Sequence, residues 1–213
     1  MEVIQLIKKL NNTELGKGGT HDTYVLVPQN LDITDLFPVI NEKVLFINKQ
    51  NGEVVNIRHT LGREKRIVGL GTFYSGNDLC AGDEIVFERQ ILQGQSEYYI
   101  NLNKRRNILI LKKIKNGFEI LTSDRNSLVT DNTIIKTDRG IEKISIEYIL
   151  SEKKRQDSPI VTDFYDVKIG GNSILDQYSG KELIEIEITN NEARINHFCS
   201  WKKYRFEVEE DNG

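Results

Sequence analysis

Basic side chains are concentrated in one short segment, "IRHTLGREKRIV", which covers residues 57–68. Its charged and titratable members are Arg58, His59, Arg63, Glu64, Lys65 and Arg66. If the segment forms a hairpin, alternate side chains point the same way, so these residues can line one tip. Arginine forks match the O6 and N7 atoms of guanine, and a carboxylate accepts a hydrogen bond from cytosine N4. The mixture therefore suits contacts to base edges, and the alternative is a solvated hairpin in which Glu64 pairs with an arginine.

A glycine-rich segment, "GKGGTHDTY", is a second candidate for polar contacts and covers residues 16–24. Its glycines permit a close approach of the backbone, although the spacing of a phosphate-binding P-loop is absent. Its donors and acceptors are Lys17, Thr20, His21, Asp22 and Tyr24. The alternative interpretation is a surface loop.

A third segment, "KRRNILILKKIK", covers residues 104–115 and holds six basic residues but no acidic one. Such a segment can contact phosphates and set the register of a protein on a duplex. The residues best suited to this are Lys104, Arg105 and Arg106. A solvated strand edge is the better interpretation for the other three, Lys112, Lys113 and Lys115.

Catalytic chemistry has weaker support in the sequence. The three histidines lack the spacing of metal ligands. A nuclease would need clustered carboxylates and a lysine to hold Mg²⁺ and activate water. The nearest set is Asp166 or Asp176 with Glu185 and Glu187, but the segment reads Glu-Ile-Glu where a Glu-x-Lys is expected. Alternating Glu and Ile is typical of a half-buried strand, so we predict that this chain alone is not an enzyme.

The bulk composition allows one or two domains, since the chain has 213 residues, of which 38% are hydrophobic and 29% charged. No apolar run approaches the ~18 residues of a membrane span, and the N-terminus has no signal-peptide pattern. We therefore expect a cytoplasmic protein that does not bind membranes. The two cysteines, Cys80 and Cys199, are too far apart in sequence to indicate a disulfide framework or a thiolate metal site.

The net charge is −3, which by itself argues against a nucleic-acid binder. Its distribution along the chain is uneven. Residues 1–127 hold 17 Lys and Arg against 15 Asp and Glu, whereas residues 128–213 hold 12 against 17. Because local clusters matter more for phosphate contact than the total, the basic segments in the first part remain candidates.

The elements that must position these residues are predicted to be mostly strands. Asn51-Gly52 and Asn116-Gly117 indicate the tips of two hairpins. Ala81-Gly82-Asp83 indicates a turn before a strand through Ile85 and Phe87. Two short helices are expected, over residues 3–10 and 30–37. The pattern predicts an all-β barrel or sandwich. After residue 126 the signal weakens, and residues 132–150 fit either a hairpin or a strand with a short helix.

The order of several motifs resembles that of the B-three type DNA-binding pseudobarrel. The motifs are "GTHDTYVLVP", "LFP", "NGEVVNIRHT", the basic segment and "FYSGNDLCAGDEIVFER", spread over about residues 13–102. Plant transcription factors of the auxin-response type carry this fold, as do the N-terminal effector domains of EcoRII-type restriction endonucleases. The resemblance implies a mainly β chain: a pseudobarrel of about seven strands with one or two short helices over residues 1–126. A β-rich extension over 127–213 is either separate or packed on the first part as one unit.

The resemblance also implies two arms that grip the major groove of DNA. It maps a first arm onto Lys17–Tyr24 and a second arm onto Arg58–Arg66. "REKR" is similar to the restriction-enzyme branch, which implies the specificity or effector domain of a type II restriction endonuclease at a short site such as CCWGG. In this interpretation Arg63 and Arg66 contact guanines and Glu64 contacts a cytosine.

The same resemblance sets the expected partners. They are double-stranded DNA, bound sequence-specifically by a monomer, and a covalently linked nuclease domain. No cofactor is expected for this chain, and Mg²⁺ only where a catalytic domain is attached. Two alternatives remain at this stage: a small Mg²⁺-dependent nuclease in its own right, and a β-rich protein-interaction module.

Overall fold

The computed structural model of the protein describes residues 1–12, 14–15, 24–122, 126–153 and 161–209. The chain divides into two compact units. The first unit comprises Met1–Lys104 and Cys199–Gly213, and the second comprises Arg105–Phe198. The second unit is therefore an insertion within the first, and the division lies at other positions than the boundary after residue 126 that the sequence suggested.

Strands dominate both units, and the predicted fold class, mainly β with few helices, is confirmed. The chain begins with β1 (Glu2–Lys9), β2 (Val25–Val27), β3 (Lys43–Asn48), β4 (Val54–Leu61), β5 (Lys65–Val68), the helix α1 (Gly71–Ser75), β6 (Glu84–Leu92) and β7 (Gln95–Asn103). The second unit contributes β8 (Ile108–Ile114), β9 (Gly117–Ile120), β10 (Ile134–Thr137), β11 (Gly140–Lys153), β12 (Val161–Ile169), β13 (Asn172–Ser173), β14 (Leu183–Thr189) and β15 (Glu192–His197). The last strand, β16 (Trp201–Glu207), returns to the first unit.

The first unit is an open eight-stranded sheet with the strand order β16-β1-β6-β7-β3-β4-β5-β2. Within the described part of this sheet, β3 and β7 pair in parallel and the other neighbouring strands are antiparallel. Its core contains an aromatic cluster in which the rings of Phe37, Phe46 and Phe87 lie 5.6–6.1 Å apart. Such a sheet leaves β16 and β2 as its two edges, and the second of these edges bears on the candidate site.

The second unit is a barrel of seven strands in the order β11-β10-β15-β14-β8-β9-β12, closed by pairing of β12 with β11. The short β13 is attached to β12. Apolar side chains such as Leu109, Phe118 and Ile186 fill its core. Two single-turn 3-10 helices, Asn126–Leu128 and Leu175–Gln177, complete the described part of this unit.

Both helices predicted from the sequence are wrong. Residues 3–10 belong mostly to β1, which pairs with β6 on one side and with β16 on the other. Residues 30–37 contain a single turn, in which the Phe37 N–H donates to the Ile33 carbonyl at 2.9 Å. Buried positions on both faces of β1 gave a spacing that also fits a helix, because a central strand loses the simple alternation of apolar and polar residues.

The three turns that were predicted from their residue types are present in the structure. β3 and β4 form a hairpin around Asn51-Gly52, and Gly52 has a φ of 75°. β8 and β9 join at Asn116-Gly117. The Ala81-Gly82-Asp83 turn precedes β6, with Gly82 at a φ of 95°. β10 and β11 form a hairpin, which decides between the two alternatives for that region. Cys80 and Cys199 are free thiols.

Candidate nucleic-acid interface

The second arm, Arg58–Arg66, is the hairpin formed by β4 and β5. In this hairpin Arg58 lies opposite Val68, and Thr60 lies opposite Arg66. Burial alternates along β4, so the side chain of Arg58 is exposed on the outer face. Arg63 and Glu64 lie at the exposed tip. The structure therefore places Arg63 and Glu64 at the turn of the hairpin with Arg66 beside it, whereas Arg58 lies at the end of the β4–β5 pairing that is farthest from the turn. On its other side β5 pairs with β2.

Arg66 is held in place by two neighbours. Its guanidinium carbon lies 4.1 Å from the centroid of the Tyr24 ring, a stacked cation–π arrangement. Its Nε and Nη2 atoms donate to Glu64 Oε2 at 3.0 and 2.5 Å. Glu64 therefore pairs with an arginine, as in the solvated-hairpin alternative. The pair also fixes the plane of the Arg66 fork, which reduces the side-chain freedom that a base contact would have to remove.

Two residues expected at the tip face the interior of the sheet instead. His59 is only 5% exposed. Lys65 is half-buried, and its ammonium group donates to the Leu31 carbonyl at 2.6 Å. This corrects the expectation that all six charged and titratable residues of the segment line one tip. The reason is the strand geometry, since His59 and Lys65 fall on the opposite face from Arg58 and Arg66.

His59 gives a pH-dependent prediction. Burial, with a smaller contribution from Lys65, lowers the pKa of His59 below its ordinary value, and within the described part of the chain its Nε2 has no hydrogen-bond partner. In the unfolded chain, His59 binds a proton near its ordinary pKa. As the pH falls through that value, His59 is therefore protonated in a larger fraction of unfolded molecules than of folded molecules. We expect the unfolding free energy of the wild type to fall between about pH 7.5 and about pH 5.5, and to fall less in His59→Leu. Equal pH dependence in urea titrations of both proteins would contradict this assignment.

The first arm is described only at its end. Lys17, Thr20, His21 and Asp22 lie outside the described residues, so their predicted role is not tested. Tyr24 is described, and it stacks on Arg66 of the second arm. Because β2 pairs with β5, the chain that leaves the first arm runs directly beside the second arm.

The third basic segment is divided between the two units. Lys104 is exposed at the end of this part of the first unit. Arg105 belongs to the second unit, where its Nη2 lies 2.9 Å from Glu187 and 3.9 Å from Glu185. Arg106 is half-buried in that unit. Two carboxylates thus offset the charge of Arg105, which weakens the case for a phosphate contact there.

Three of the four carboxylates considered for catalysis make local contacts. Asp166 accepts a hydrogen bond from the Ser173 hydroxyl at 2.6 Å, and Glu185 and Glu187 face Arg105. Across the ranges that the structure describes, no group of three or more His, Cys, Asp or Glu side chains could hold a metal ion. In the same ranges, no helix is long and apolar enough to cross a membrane.

Comparisons with protein-family models, curated proteins and solved structures found no match to this chain. The resemblance to the B-three type pseudobarrel therefore rests on the sequence motifs.

The sequence prediction missed a buried ion pair beside the first arm. Lys8 Nζ lies 2.9 Å from Glu14 Oε1, and their side chains are only 2% and 3% exposed. Burial lowers the pKa of Lys8 and raises that of Glu14, while the attraction between them opposes both shifts. A signal was present, because Lys8 continues the alternation of Ile4 and Leu6 on the core face of β1, but it becomes readable only once β1 is recognised as a strand.

Proposed function

We propose that this chain binds double-stranded DNA sequence-specifically, with the β4–β5 hairpin in the major groove. The observation that carries the proposal is the geometry at the tip. An exposed Arg63 lies three residues from Arg66, and the fork of Arg66 is oriented by Tyr24 and Glu64. A two-stranded ribbon fits the major groove, and arginine forks read guanine there.

Two further features support this proposal. Tyr24, at the end of the first arm, touches the second arm, as a two-armed grip requires. Arg58 is exposed on the same face of the hairpin as Arg66, where a phosphate contact would set the register without reading sequence. Glu64 supports Arg66 in the free protein, and its contact with a cytosine remains a prediction.

In its full form the proposal makes this chain the specificity or effector domain of a type II restriction endonuclease. Its site is a short sequence such as CCWGG, bound by a monomer. Cleavage would then come from a linked nuclease domain, which would supply the Mg²⁺ site. The "REKR" tip and the order of motifs over residues 13–102 are the support for this finer assignment.

Removing either tip arginine tests the proposal. We expect Arg63→Ala and Arg66→Ala each to weaken binding to the preferred duplex by about 1–3 kcal/mol and to relax specificity at one base pair. The measurement is equilibrium binding to the preferred and to a scrambled duplex. Arg139→Ala is the matched control, because it removes the same charge from an exposed position on the second unit. If both tip variants bind the two duplexes as the wild type does, the arm assignment is wrong.

A further inference from the structure

The residues on either side of the first arm meet in one polar network around a buried carboxylate. Glu14 precedes the arm, and Leu26 lies in the strand that follows it. The Glu14 carboxylate is paired with Lys8 Nζ at 2.9 Å and accepts from the Asn11 N–H at 3.1 Å. It also accepts a hydrogen bond from the backbone N–H of Leu26. One buried carboxylate therefore joins the entry of the arm to its exit.

The backbone carbonyl of Leu26 also has a hydrogen-bond partner. Among the described strands, β2 is an edge strand that pairs with β5 alone, and the polar groups of its central residue point to the open side. The Leu26 carbonyl accepts from the indole Nε1 of Trp201 at 3.0 Å. In an antiparallel pair the N–H and C=O of one residue point to the same side. Glu14 and Trp201 thus take the place that a neighbouring strand would have at this edge.

The network extends from Leu26 to both ends of the chain. Lys8 in β1 donates to the Ser200 hydroxyl at 2.5 Å, and its ammonium lies 5.3 Å from the centroid of the Trp201 ring. Trp201 begins β16, which pairs with β1 along its length. The strand that follows the second unit therefore completes the support of β2.

β2 in turn determines where Tyr24 lies. Leu26 is directly opposite Arg66 in the β2–β5 pair, and Tyr24, two residues earlier, stacks on the Arg66 guanidinium. A displacement of β2 along or away from β5 would move the ring from under Arg66. The position of the Leu26 backbone therefore affects the orientation of the Arg66 guanidinium, because Tyr24 is only two residues from Leu26 in the chain.

Stability alone does not account for the ion pair in this place. A buried salt bridge loses the hydration of both charges, and replacing it with apolar residues of similar volume is often neutral or stabilising. An apolar pair, however, could neither accept a hydrogen bond from the Leu26 N–H nor donate one to the Ser200 hydroxyl. The role of the Lys8–Glu14 ion pair is therefore to fix the position of the Leu26 backbone.

We infer that Lys8, Glu14 and Trp201 are positioning residues for DNA recognition: they hold β2 so that Tyr24 orients Arg66. This inference rests on the proposed function. None of the three touches the DNA in this arrangement, and each acts through Leu26 or Tyr24.

The main test replaces the ion pair with apolar residues in the double variant Lys8→Met/Glu14→Leu. We expect it to fold with an unfolding free energy near that of the wild type, while affinity for the preferred duplex falls by about tenfold and affinity for a scrambled duplex stays unchanged. A loss of stability alone would not produce this difference between duplexes. A folded double variant with wild-type discrimination would overturn the inference.

A milder variant decides the matter even where the double variant does not fold. Trp201→Phe keeps an aromatic ring near Lys8 but removes the donor to the Leu26 carbonyl. Tyr204→Phe is its control, since Tyr204 lies on the same strand and is 47% exposed. We expect Trp201→Phe alone to lower the ratio of preferred to scrambled affinity, and an unchanged ratio would overturn the inference. A wild type without any discrimination would instead refute the proposed function, and the inference with it.

Discussion

Replacing Lys8 by Met is expected to lower the unfolding free energy by about 3–5 kcal/mol. The substitution leaves the Glu14 carboxylate, only 3% exposed, without its cation at 2.9 Å. It also removes the donor to Ser200. Burial already raises the pKa of Glu14, so the variant should bind a proton there on folding and lose additional stability as the pH rises.

Denaturant titration followed by tryptophan fluorescence measures this effect. Trp201 is the single tryptophan of the chain and belongs to the first unit, so its emission reports on the unit that contains the ion pair. Lys43→Met is the matched control, because Lys43 is exposed on β3. Adding Glu14→Leu to Lys8→Met should recover most of the lost stability. A single variant as stable as the control would show that the pair is not buried as described.

Gly69→Ala is expected to destabilise the first unit by about 2–5 kcal/mol. Gly69 follows β5 with a φ of 95°, a conformation that an L-residue rarely adopts. A Cβ at this position would lie 2.2 Å from the backbone carbonyl oxygen of Asn56 in β4. Neither strand can move without disturbing the hairpin that carries the second arm. The backbone strain at Gly69 and the steric overlap with Asn56 therefore both lower the stability of the variant.

The matched control for Gly69 is Gly52→Ala. Gly52 also has a positive φ, 75°, but a Cβ there would meet no atom within 4 Å. The control isolates the backbone strain, which should be about 1 kcal/mol. Comparing unfolding midpoints of the two variants separates strain from overlap. Equal loss of stability in both variants would mean that β5 and β4 do not approach as closely at Gly69 as the structure shows.

Local chemistry explains which parts of the fold could be predicted from the sequence. Asn-Gly dipeptides at 51–52 and 116–117 encode tight turns within a few residues, and both hairpins form there. The sequence predicts a helix in place of β1 because apolar residues on both faces of this strand mimic helical spacing. The membership of β16 in the first unit cannot be predicted locally, because β16 pairs with β1 from the far end of the chain and no local pattern contains that pairing.

The candidate site also has features that the sequence predicts and features that it does not. Arg63, Glu64 and Arg66 could be identified from charge and spacing alone. The stacking of Arg66 on Tyr24 could not, because it requires β2 to lie beside β5. The role of Trp201 at the edge of β2 could not be predicted either, because it depends on a hydrogen bond between residues 175 positions apart.

The central claim is that the first unit reads the sequence of duplex DNA. Its most direct test is selection of bound duplexes from a random pool by the full chain, at a low and a high salt concentration. We expect one short, C/G-rich site to be enriched at both, with affinity falling by roughly 0.9 log units per phosphate contact for each log unit of salt. Recovered duplexes with no sequence in common, or no duplex retained at either salt concentration, would contradict the claim.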